Sequence, residues 1–395
     1  MKTVNENNTL TIFPKGRIDS NNAAQTENEI MSALDSAKAE NVAVDAKDLE
    51  YISSAGLRVL MKLRKAIKKP LPMVNVSRDI YEILDTTGFT ELFDVKKALR
   101  ELSVEGCEVI GAGSYGSVYR VADDTIVKVY NVGSPELIER ERLMSQRAFV
   151  NGLPTAIPFD VVRVGDKLGV VYELLDAKTV SQHITAHPEK MEEYVRKAVS
   201  ELKRFHSIEI EDELFEDKKK PFYELIDNIS AYLTDEEKDI VIKYLDSVPD
   251  RNTFCHGDYN FKNVMMKDGE ILLIDVGDVG IGHPVFDLSG LVLAYRIFAK
   301  SGQAFDRIFG YLGIDPALAD GVMDTIVSEY FDTSDHDEIE RYIKMMMPMA
   351  MFSKAYHGIR RYPDMNDKQT VTPIVDRLVK KELIEAIKSS PKMDF

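Results

Sequence analysis

Residues 254–278, FCHGDYNFKNVMMKDGEILLIDVGD, set two carboxylates and an asparagine around a short β-hairpin. The strands NVMMK and EILLID flank an Asp-Gly pair, which is a strong hairpin signal. Asp258 precedes the hairpin, Asn263 begins its first strand, and Asp275 ends its second strand. Carboxylate and amide oxygens are ligands that Mg²⁺ prefers. The stretch therefore predicts a polar loop and a metal-binding segment that the hairpin brings together.

A glycine-rich segment, IGAGSYGSVYRV, lies upstream in a strand-turn-strand setting. Gly111, Gly113 and Gly116 are followed by Val118, and glycines allow a backbone to approach a polyphosphate closely. The pattern alone is weak, because any glycine-rich hairpin can show it. A strand follows it where a dinucleotide site would have a helix, which counts against dinucleotide binding.

Lys128 lies between apolar residues in TIVKVY, the strand expected beside the glycine loop. Glu139 and Glu141 follow on the helix LIERERLM, where a carboxylate can pair with the lysine and hold it against phosphate oxygens. Each of these residues alone is equally consistent with a solvated position. Together with the polar residues of the hairpin, however, they can be explained by a single chemical function.

That explanation is phosphoryl transfer, which needs a carboxylate to orient the attacking hydroxyl and oxygen ligands for Mg²⁺. Asp258 suits the first role, and Asn263 with Asp275 suits the second. A polar loop capped by Asp and Asn is common for any one of these residues. A capped polar loop does not explain why the glycine loop, the lysine, the helix glutamate and these three residues all occur, in this order, along one chain.

Residues 105–395, through HGDYNFKN and LLIDVGDVGIGHPVFDL, resemble the aminoglycoside phosphotransferase and choline kinase family. That resemblance implies a protein-kinase-like fold that uses ATP and Mg²⁺, with Asp258 as catalytic base and Asn263 and Asp275 as metal ligands. It implies that Lys128 contacts the phosphates and pairs with Glu141. The further residues implied are Gly111, Gly113, Gly116 and Val118 around ATP, Glu173 and Leu175 presenting their backbone to adenine, and His256 and Asp287 supporting the catalytic loop.

The pattern of strands and helices predicts an α/β sandwich at 1–104, a strand-rich part at 105–175 and a mostly helical part at 176–395. The resemblances imply that these parts are a STAS domain, a kinase N-lobe and a kinase C-lobe. The STAS assignment is a resemblance to bacterial anti-sigma factor antagonists, carried by SSAGL. Between these parts, VKKALRELSVEG predicts a helix followed by a domain boundary near Glu105.

By this resemblance, Ser54 falls at the position of the serine that becomes phosphorylated in STAS domains, and Ser53 replaces the usual aspartate. A phosphoserine before a helix would be favoured by its amides and dipole. The same position equally suits a helix cap. The resemblance implies a protein partner for this domain and no catalysis.

The net charge of −16 argues against nucleic acid and anionic membranes as partners and favours a cationic small substrate. Acidic runs such as IEIEDELFED and DTSDHDEIE could attract an amine, although a solvated helical face explains them too. The methionines of KMMMPMAMF could line a pocket or fill the core. Two distant cysteines and the absence of an apolar leader fit the cytoplasm.

Three functions follow. The first is transfer of the ATP γ-phosphate to a small-molecule hydroxyl, regulated or localised by the STAS domain. The second is a protein serine kinase acting on Ser54, which the protein-kinase-like glycine loop favours and the short segment after Asp275 opposes. The third is a nucleotide-sensing scaffold without turnover.

Overall fold

The computed structural model describes residues 1–6, 8–37, 39–113, 116–211, 213–362, 364–365 and 367–395. The chain divides into two compact units. The first unit comprises Met1–Ser103 with Val162–Asp166, and the second unit comprises Val104–Val161 with Lys167–Phe395. None of the helices in these described ranges has the length and apolar character needed to span a bilayer.

The first unit alternates strands with helices, as predicted. Its elements are β1 Lys2–Glu6, β2 Thr9–Phe13, β3 Gly16–Ile18, α1 Ala23–Ala37, β4 Asn41–Asp45, β5 Leu49–Ile52, α2 Ser54–Ile67, β6 Leu71–Val76, α3 Arg78–Thr86, β7 Phe93–Lys97 and β8 Arg100–Glu101. Five strands form one sheet in the order β1-β2-β4-β6-β7, parallel except for the β1–β2 pair. Alternate strand residues such as Leu10 and Ile12 are buried with Leu60 and Leu63 of α2, so the sheet packs on its crossover helices.

The helix predicted over VKKALRELSVEG is wrong. The start of this stretch completes β7, which pairs in parallel with β6 through Phe93 and Leu71. Phe93 is buried and Val95 is partly buried, with a period of two that suits a sheet edge. The lysines and leucines that indicated a helix are overridden because pairing with the sheet buries this apolar face.

The strand-rich part after Val104 contains β9 Glu108–Ala112, β10 Gly116–Ala122, β11 Thr125–Tyr130, α4 Pro135–Val150, β12 Pro158–Val164 and β13 Lys167–Glu173. The strands are ordered β12-β13-β11-β10-β9, and the single helix follows β11, as predicted. Ser134 caps this helix through the amide of Leu137, and Pro135 occupies its first turn, which is a favourable start for a helix.

The helical part contains β14 Lys178–Thr179, α5 Val180–Ala186, α6 Met191–Phe205, α7 Lys220–Asn228, α8 Asp235–Ser247, β15 Phe254–Cys255, β16 Val264–Lys267, β17 Glu270–Leu273, β18 Gly280–Ile281, α9 Val285–Val292, α10 Phe305–Leu312, α11 Ala319–Phe331, α12 His336–Ile359, α13 Lys368–Val375 and α14 Ile384–Ser389. Two π-helical segments, Leu293–Phe298 and Asp376–Leu383, continue α9 and α13. The strand-rich and helical parts confirm the predicted fold class.

The predicted hairpin is β16–β17. Asp268 and Gly269 both have positive φ, 53° and 88°, which suits the two-residue turn that matches strand twist. The methionine-rich stretch lies in α12, where Met346, Met349 and Phe352 are buried in the core of the second unit. Core filling is therefore its role at these positions.

Candidate active site

The loop between β15 and β16 carries Asp258, and neighbouring side chains fix the orientation of its carboxylate. Asn263 donates from Nδ2 to Oδ2 and to the backbone oxygen of Asp258, both at 3.0 Å. The Asn260 amide donates to Oδ1 at 3.2 Å. Enclosure by protein atoms raises the pKa of Asp258, and the charge of Asp275 adds to this increase. A carboxylate with a raised pKa is better suited to accepting a proton.

Asp287, in the first turn of α9, is only 2% exposed and forms hydrogen bonds with the backbone of this loop. Its carboxylate oxygens accept the amide hydrogens of His256 and Gly257, both at 2.7 Å. His206, at the end of α6, donates from Nε2 to Oδ2 at 3.0 Å, and Tyr330 contacts its Nδ1 at 2.8 Å. Burial alone would raise the pKa of Asp287, but the bonds and charges of its partners, led by His206, lower it.

His256 is buried, and its Nδ1 accepts the amide hydrogen of Asp258 at 3.3 Å. Its proton is therefore assigned to Nε2, which has no partner within the described residues. The ring meets Tyr259 edge-on, with centroids 5.9 Å apart. Through its hydrogen bond to the Asp258 amide, His256 contacts the backbone of the loop rather than the Asp258 carboxylate.

Lys128 lies between two carboxylates. Its Nζ donates to Glu141 Oε1 at 2.8 Å and to Asp275 Oδ1 at 2.7 Å. Burial alone would lower the pKa of Lys128, but the negative charges of Asp275 and Glu141 outweigh it and raise the pKa. Tyr130 donates to the same Glu141 oxygen at 2.6 Å. The ammonium is therefore kept charged at the place where β11, α4 and the end of β17 meet.

The two glutamates of α4 differ in their partners. Glu139 accepts hydrogen bonds from Arg142, the shorter at 2.7 Å, and takes no part in the lysine cluster. Glu141 is the one that reaches Lys128, because Gly277 leaves space for it. A Cβ added at Gly277 would lie 2.6 Å from Glu141 Cγ. A side chain at Gly277, two residues after Asp275, would therefore displace Glu141 from this position.

Asp275 and Asn263 are brought together at the base of the hairpin, where the amide of Ile274 donates to the Asn263 carbonyl at 3.0 Å. Asp275 has a left-handed backbone, φ 61° and ψ 47°, a conformation that Asp tolerates better than most residues. Because Asn263 uses its amide nitrogen for Asp258, its side-chain oxygen stays available. This oxygen and the Asp275 carboxylate fit the ligand preference of Mg²⁺.

The glycine loop joins β9 and β10, and its central residues 114 and 115 lie outside the described residues. Gly113 donates to the carbonyl of Gly116 at 2.9 Å. A Cβ at Gly116 would lie 2.1 Å from the Val129 carbonyl oxygen, so only glycine fits there. Val118 pairs directly with Lys128 across the strands. Gly111 pairs with Val118 in turn, which brings the loop beside the lysine.

The predicted adenine-binding backbone lies at the end of β13. The Glu173 amide donates a hydrogen bond to the Ile157 carbonyl at 3.1 Å. The Leu175 amide makes no hydrogen bond to the described residues, whereas the Leu175 carbonyl accepts from Ala177 at 2.8 Å. The donor still available to a nucleotide base is therefore that of Leu175. A role for Glu173 would depend on its carbonyl.

The two serines at the start of α2 differ in function. Ser53 is the N-cap, and its hydroxyl accepts from the amides of Ala55 and Gly56 at 3.2 and 3.4 Å. Ser54 is the first helical residue; its side chain is exposed and makes no hydrogen bond within the described ranges. The cap expected at this junction is thus Ser53, whose extended backbone turns its hydroxyl toward the amides.

His206, Tyr330 and Tyr130 were not foreseen from the sequence. His206 lies at the end of an amphipathic helix and is distant along the chain from Asp287. A histidine there gives no local signal, since its partner is fixed only by packing. Tyr130 ends an apolar strand and is indistinguishable by pattern from a core aromatic residue.

Comparisons with known proteins match both parts of the chain. Residues 106–320 match the phosphotransferase enzyme family, and residues 1–102 match the STAS domain. The putative anti-sigma factor antagonist BtrV of Bordetella bronchiseptica is 32% identical over 84 residues, which is 20% of this chain and 72% of that protein.

Two solved structures are similar to this chain at low sequence identity. The gentamicin complex of APH(2'')-IIa is 18% identical with a TM-score of 0.47, and the match covers 80% of this chain and 99% of that one. A choline/ethanolamine kinase family protein from Mesorhizobium loti is 14% identical with a TM-score of 0.43, covering 72% and 88%.

Proposed function

Since the chain belongs to the phosphotransferase enzyme family and carries a STAS domain, we propose that it transfers the γ-phosphate of Mg-ATP to a hydroxyl of a small molecule. The observation that carries the proposal is the convergence of Lys128, Asp275 and Asp258 with its Asn263 partner. Membership in an enzyme family argues against a scaffold without turnover. The STAS domain would regulate or localise the enzyme through a protein partner.

In this mechanism the acceptor hydroxyl lies against Asp258, which takes its proton as the oxygen attacks the γ-phosphorus. The new O–P bond forms while the bond to the β-phosphate oxygen breaks, and ADP leaves with that electron pair. Asn263 and Asp275 would hold Mg²⁺, which when bound neutralises charge on the triphosphate. Lys128, kept in place by Glu141, would bind the α- and β-phosphates. The glycine loop and the Leu175 amide would hold the rest of ATP.

A small acceptor is supported by the segment after Asp275. It forms a short turn, Val276–Asp278, and then β18, which pairs with β15 beside the catalytic loop. The chain then enters α9 at Val285. This compact course leaves no long loop on which a peptide could dock. Both cysteines are unpaired, which suits the reducing cytoplasm we propose as its location.

The proposal is tested by measuring phosphate transfer directly. The purified chain is incubated with ATP and hydroxyl compounds, with ADP and the phosphorylated product measured by enzyme coupling and mass spectrometry. We expect acceptor-dependent ADP formation that EDTA abolishes and Mg²⁺ restores. ADP formation that ignores every acceptor, in a sample shown to bind Mg-ATP, would contradict a small-molecule kinase.

A second candidate function, phosphorylation of a STAS serine, is supported by the exposed hydroxyl of Ser54 at the start of α2. It predicts that phosphopeptide mapping after incubation with Mg-ATP finds phosphate on Ser54 in the wild type and in Ser53→Ala. It predicts none in Ser54→Ala or Asp258→Asn. Ser53→Ala should lower the free energy of unfolding by about 1 kcal/mol through the lost cap. An unmodified Ser54 at all protein concentrations would eliminate this candidate.

A further inference from the structure

Two lysines flank Asp258, and one of them lies in the same loop. The Nζ of Lys262 donates to the Gly310 carbonyl at 3.2 Å and lies 5.9 Å from the ring centre of Tyr311. No carboxylate in the described residues forms an ion pair with it, and Asp258 is the acid whose charge acts on it. An ammonium with donors to spare therefore lies beside the proposed base.

The second lysine, Lys218, reaches the loop from the segment before α7. Its Nζ donates to the Asp278 carbonyl at 2.7 Å. A Cβ at Gly257 would lie 2.4 Å from that Nζ, and a Cβ at Gly280 would lie 2.7 Å from Lys218 Cδ. Two glycines thus make room for this side chain next to the residue that precedes Asp258.

The neighbouring lysines show that Lys218 is exceptional. The Nζ of Lys219 forms an ion pair with Asp250 Oδ1 at 2.5 Å, and the Nζ of Lys220 lies 3.6 Å from Glu216 Oε1. Lys218 has no carboxylate within ion-pair distance in the described part of the chain. Among the described residues, the hydrogen-bond partner of its ammonium group is the Asp278 carbonyl.

The end of α12 adds positive charge on the Lys218 side. His357 is close enough to interact with the charges of Lys218, Asp278, Arg360 and Arg361. Arg360 lies over the Tyr356 ring, 5.3 Å from its centre. The Asp278 carboxylate is exposed and forms no ion pair within the described residues. Lys218, Arg360 and Arg361 are thus three cations whose charges reach His357 on this side of the loop.

The acidic run DTSDHDEIE does not offset these cations. Asp335 caps α12, and Glu340 pairs with Arg296 at 2.6 Å. These residues begin a helix of 24 residues, and its two ends lie about 36 Å apart at 1.5 Å per residue. The run is used for capping and ion pairing far from the end that carries His357.

We infer that the acceptor is a hydroxyl compound that bears an anionic group, a carboxylate or a phosphate, held by Lys218 and Lys262 beside Asp258. The inference rests on the proposed function and names its substrate class. Anions are bound by ammonium groups through charge-assisted hydrogen bonds, whereas an amine would meet two like charges that form no ion pair within the described residues. The cationic acceptor that the net charge favours is thus disfavoured by the local charges.

The test measures binding apart from turnover. With Mg-ADP present, the full chain is titrated by calorimetry with D-gluconate, D-glucose 6-phosphate, D-glucose and D-glucosamine, which differ in charge on a related skeleton. We expect gluconate or glucose 6-phosphate to bind about tenfold more tightly than glucose and glucosamine, as a charge-assisted contact provides. The stronger of the two identifies the anionic group as carboxylate or phosphate. Added salt should weaken this preference.

Lys218→Met should remove the preference, and the matched control Lys220→Met, two residues away and exposed, should keep it. Lys262→Met serves as an independent variant should Lys218→Met fail to fold. Equal affinities, no measurable binding of either anion, or tighter binding of glucosamine would overturn the inference. Anion binding that Lys218→Met removes would support the anion site even if no transfer followed, and the missing transfer would contradict the proposed function alone. Transfer to glucosamine in preference to both anions would support the proposed function and overturn the inference.

Discussion

Replacing Asp258 by asparagine should lower the turnover number by about 10²–10⁴-fold, the range for loss of a general base. The amide cannot take the hydroxyl proton, although it occupies the same space between Asn260 and Asn263. Lys128, Glu141 and Asp275 remain unchanged, so Mg-ADP should bind as it does to the wild type. Steady-state kinetics and a titration of Mg-ADP measure the two properties separately.

The matched control for this change is Asp268→Asn. It makes the same chemical substitution at the exposed turn of the β16–β17 hairpin, where φ is 53°, a conformation that asparagine accepts. Its turnover should equal that of the wild type. If Asp258→Asn were as active as this control, Asp258 would have no part in proton transfer.

Replacing Asp287 by alanine should lower the free energy of unfolding of the second unit by about 3–5 kcal/mol, the usual cost of removing a buried charged group and leaving its partners unpaired. The change removes the acceptor of the His256 and Gly257 amides and of His206. Those donors would remain buried without partners. Urea unfolding followed by circular dichroism measures the effect.

Asp306→Ala is the control for stability, because Asp306 also lies in the first turn of a helix but is exposed. Its effect should stay within about 0.5 kcal/mol. A loss in Asp287→Ala no larger than this would show that the loop does not depend on the buried carboxylate.

The contribution of Asp287 should also depend on pH in a defined direction. Its pKa in the folded chain lies below the ordinary value of 3.8, so folding favours the ionised form. The stabilisation is fully present above that ordinary value and is lost as pH falls through the lower folded value. The difference between wild type and Asp287→Ala should therefore be constant near neutrality and shrink in acid below about pH 4.

Sequence patterns predicted the parts of the site that are local in the chain. The β16–β17 hairpin follows from its Asp-Gly turn, and α4 with Glu141 follows from a capped, periodic segment. Such features depend on interactions between near neighbours, which sequence spacing records. The resemblance to a kinase family then paired Lys128 with Glu141 and named Asp275 as a metal ligand, but it did not predict the contact between Lys128 and Asp275.

The parts that could not be predicted depend on partners far apart in the chain. His206 meets Asp287 across 81 positions, and Lys218 meets the Asp278 carbonyl across 60. The β7 segment has the composition of a helix and becomes a strand only because β6 is available beside it. In each case packing of the whole domain decides the outcome, and local propensity does not.

The close approach at Gly257 has an evolutionary consequence. Two obstacles surround this position: the Asp278 carbonyl oxygen and the Lys218 Nζ would each lie 2.4 Å from an added Cβ. Removing the lysine would clear only one of them, and the positive φ of 86° would still penalise a side chain. Relatives that exchange an anionic acceptor for another class should therefore vary freely at 218 while keeping glycine at 257. Across such relatives, the residue at 218 would change with the class of acceptor, whereas the glycine at 257 would be kept because the backbone requires it.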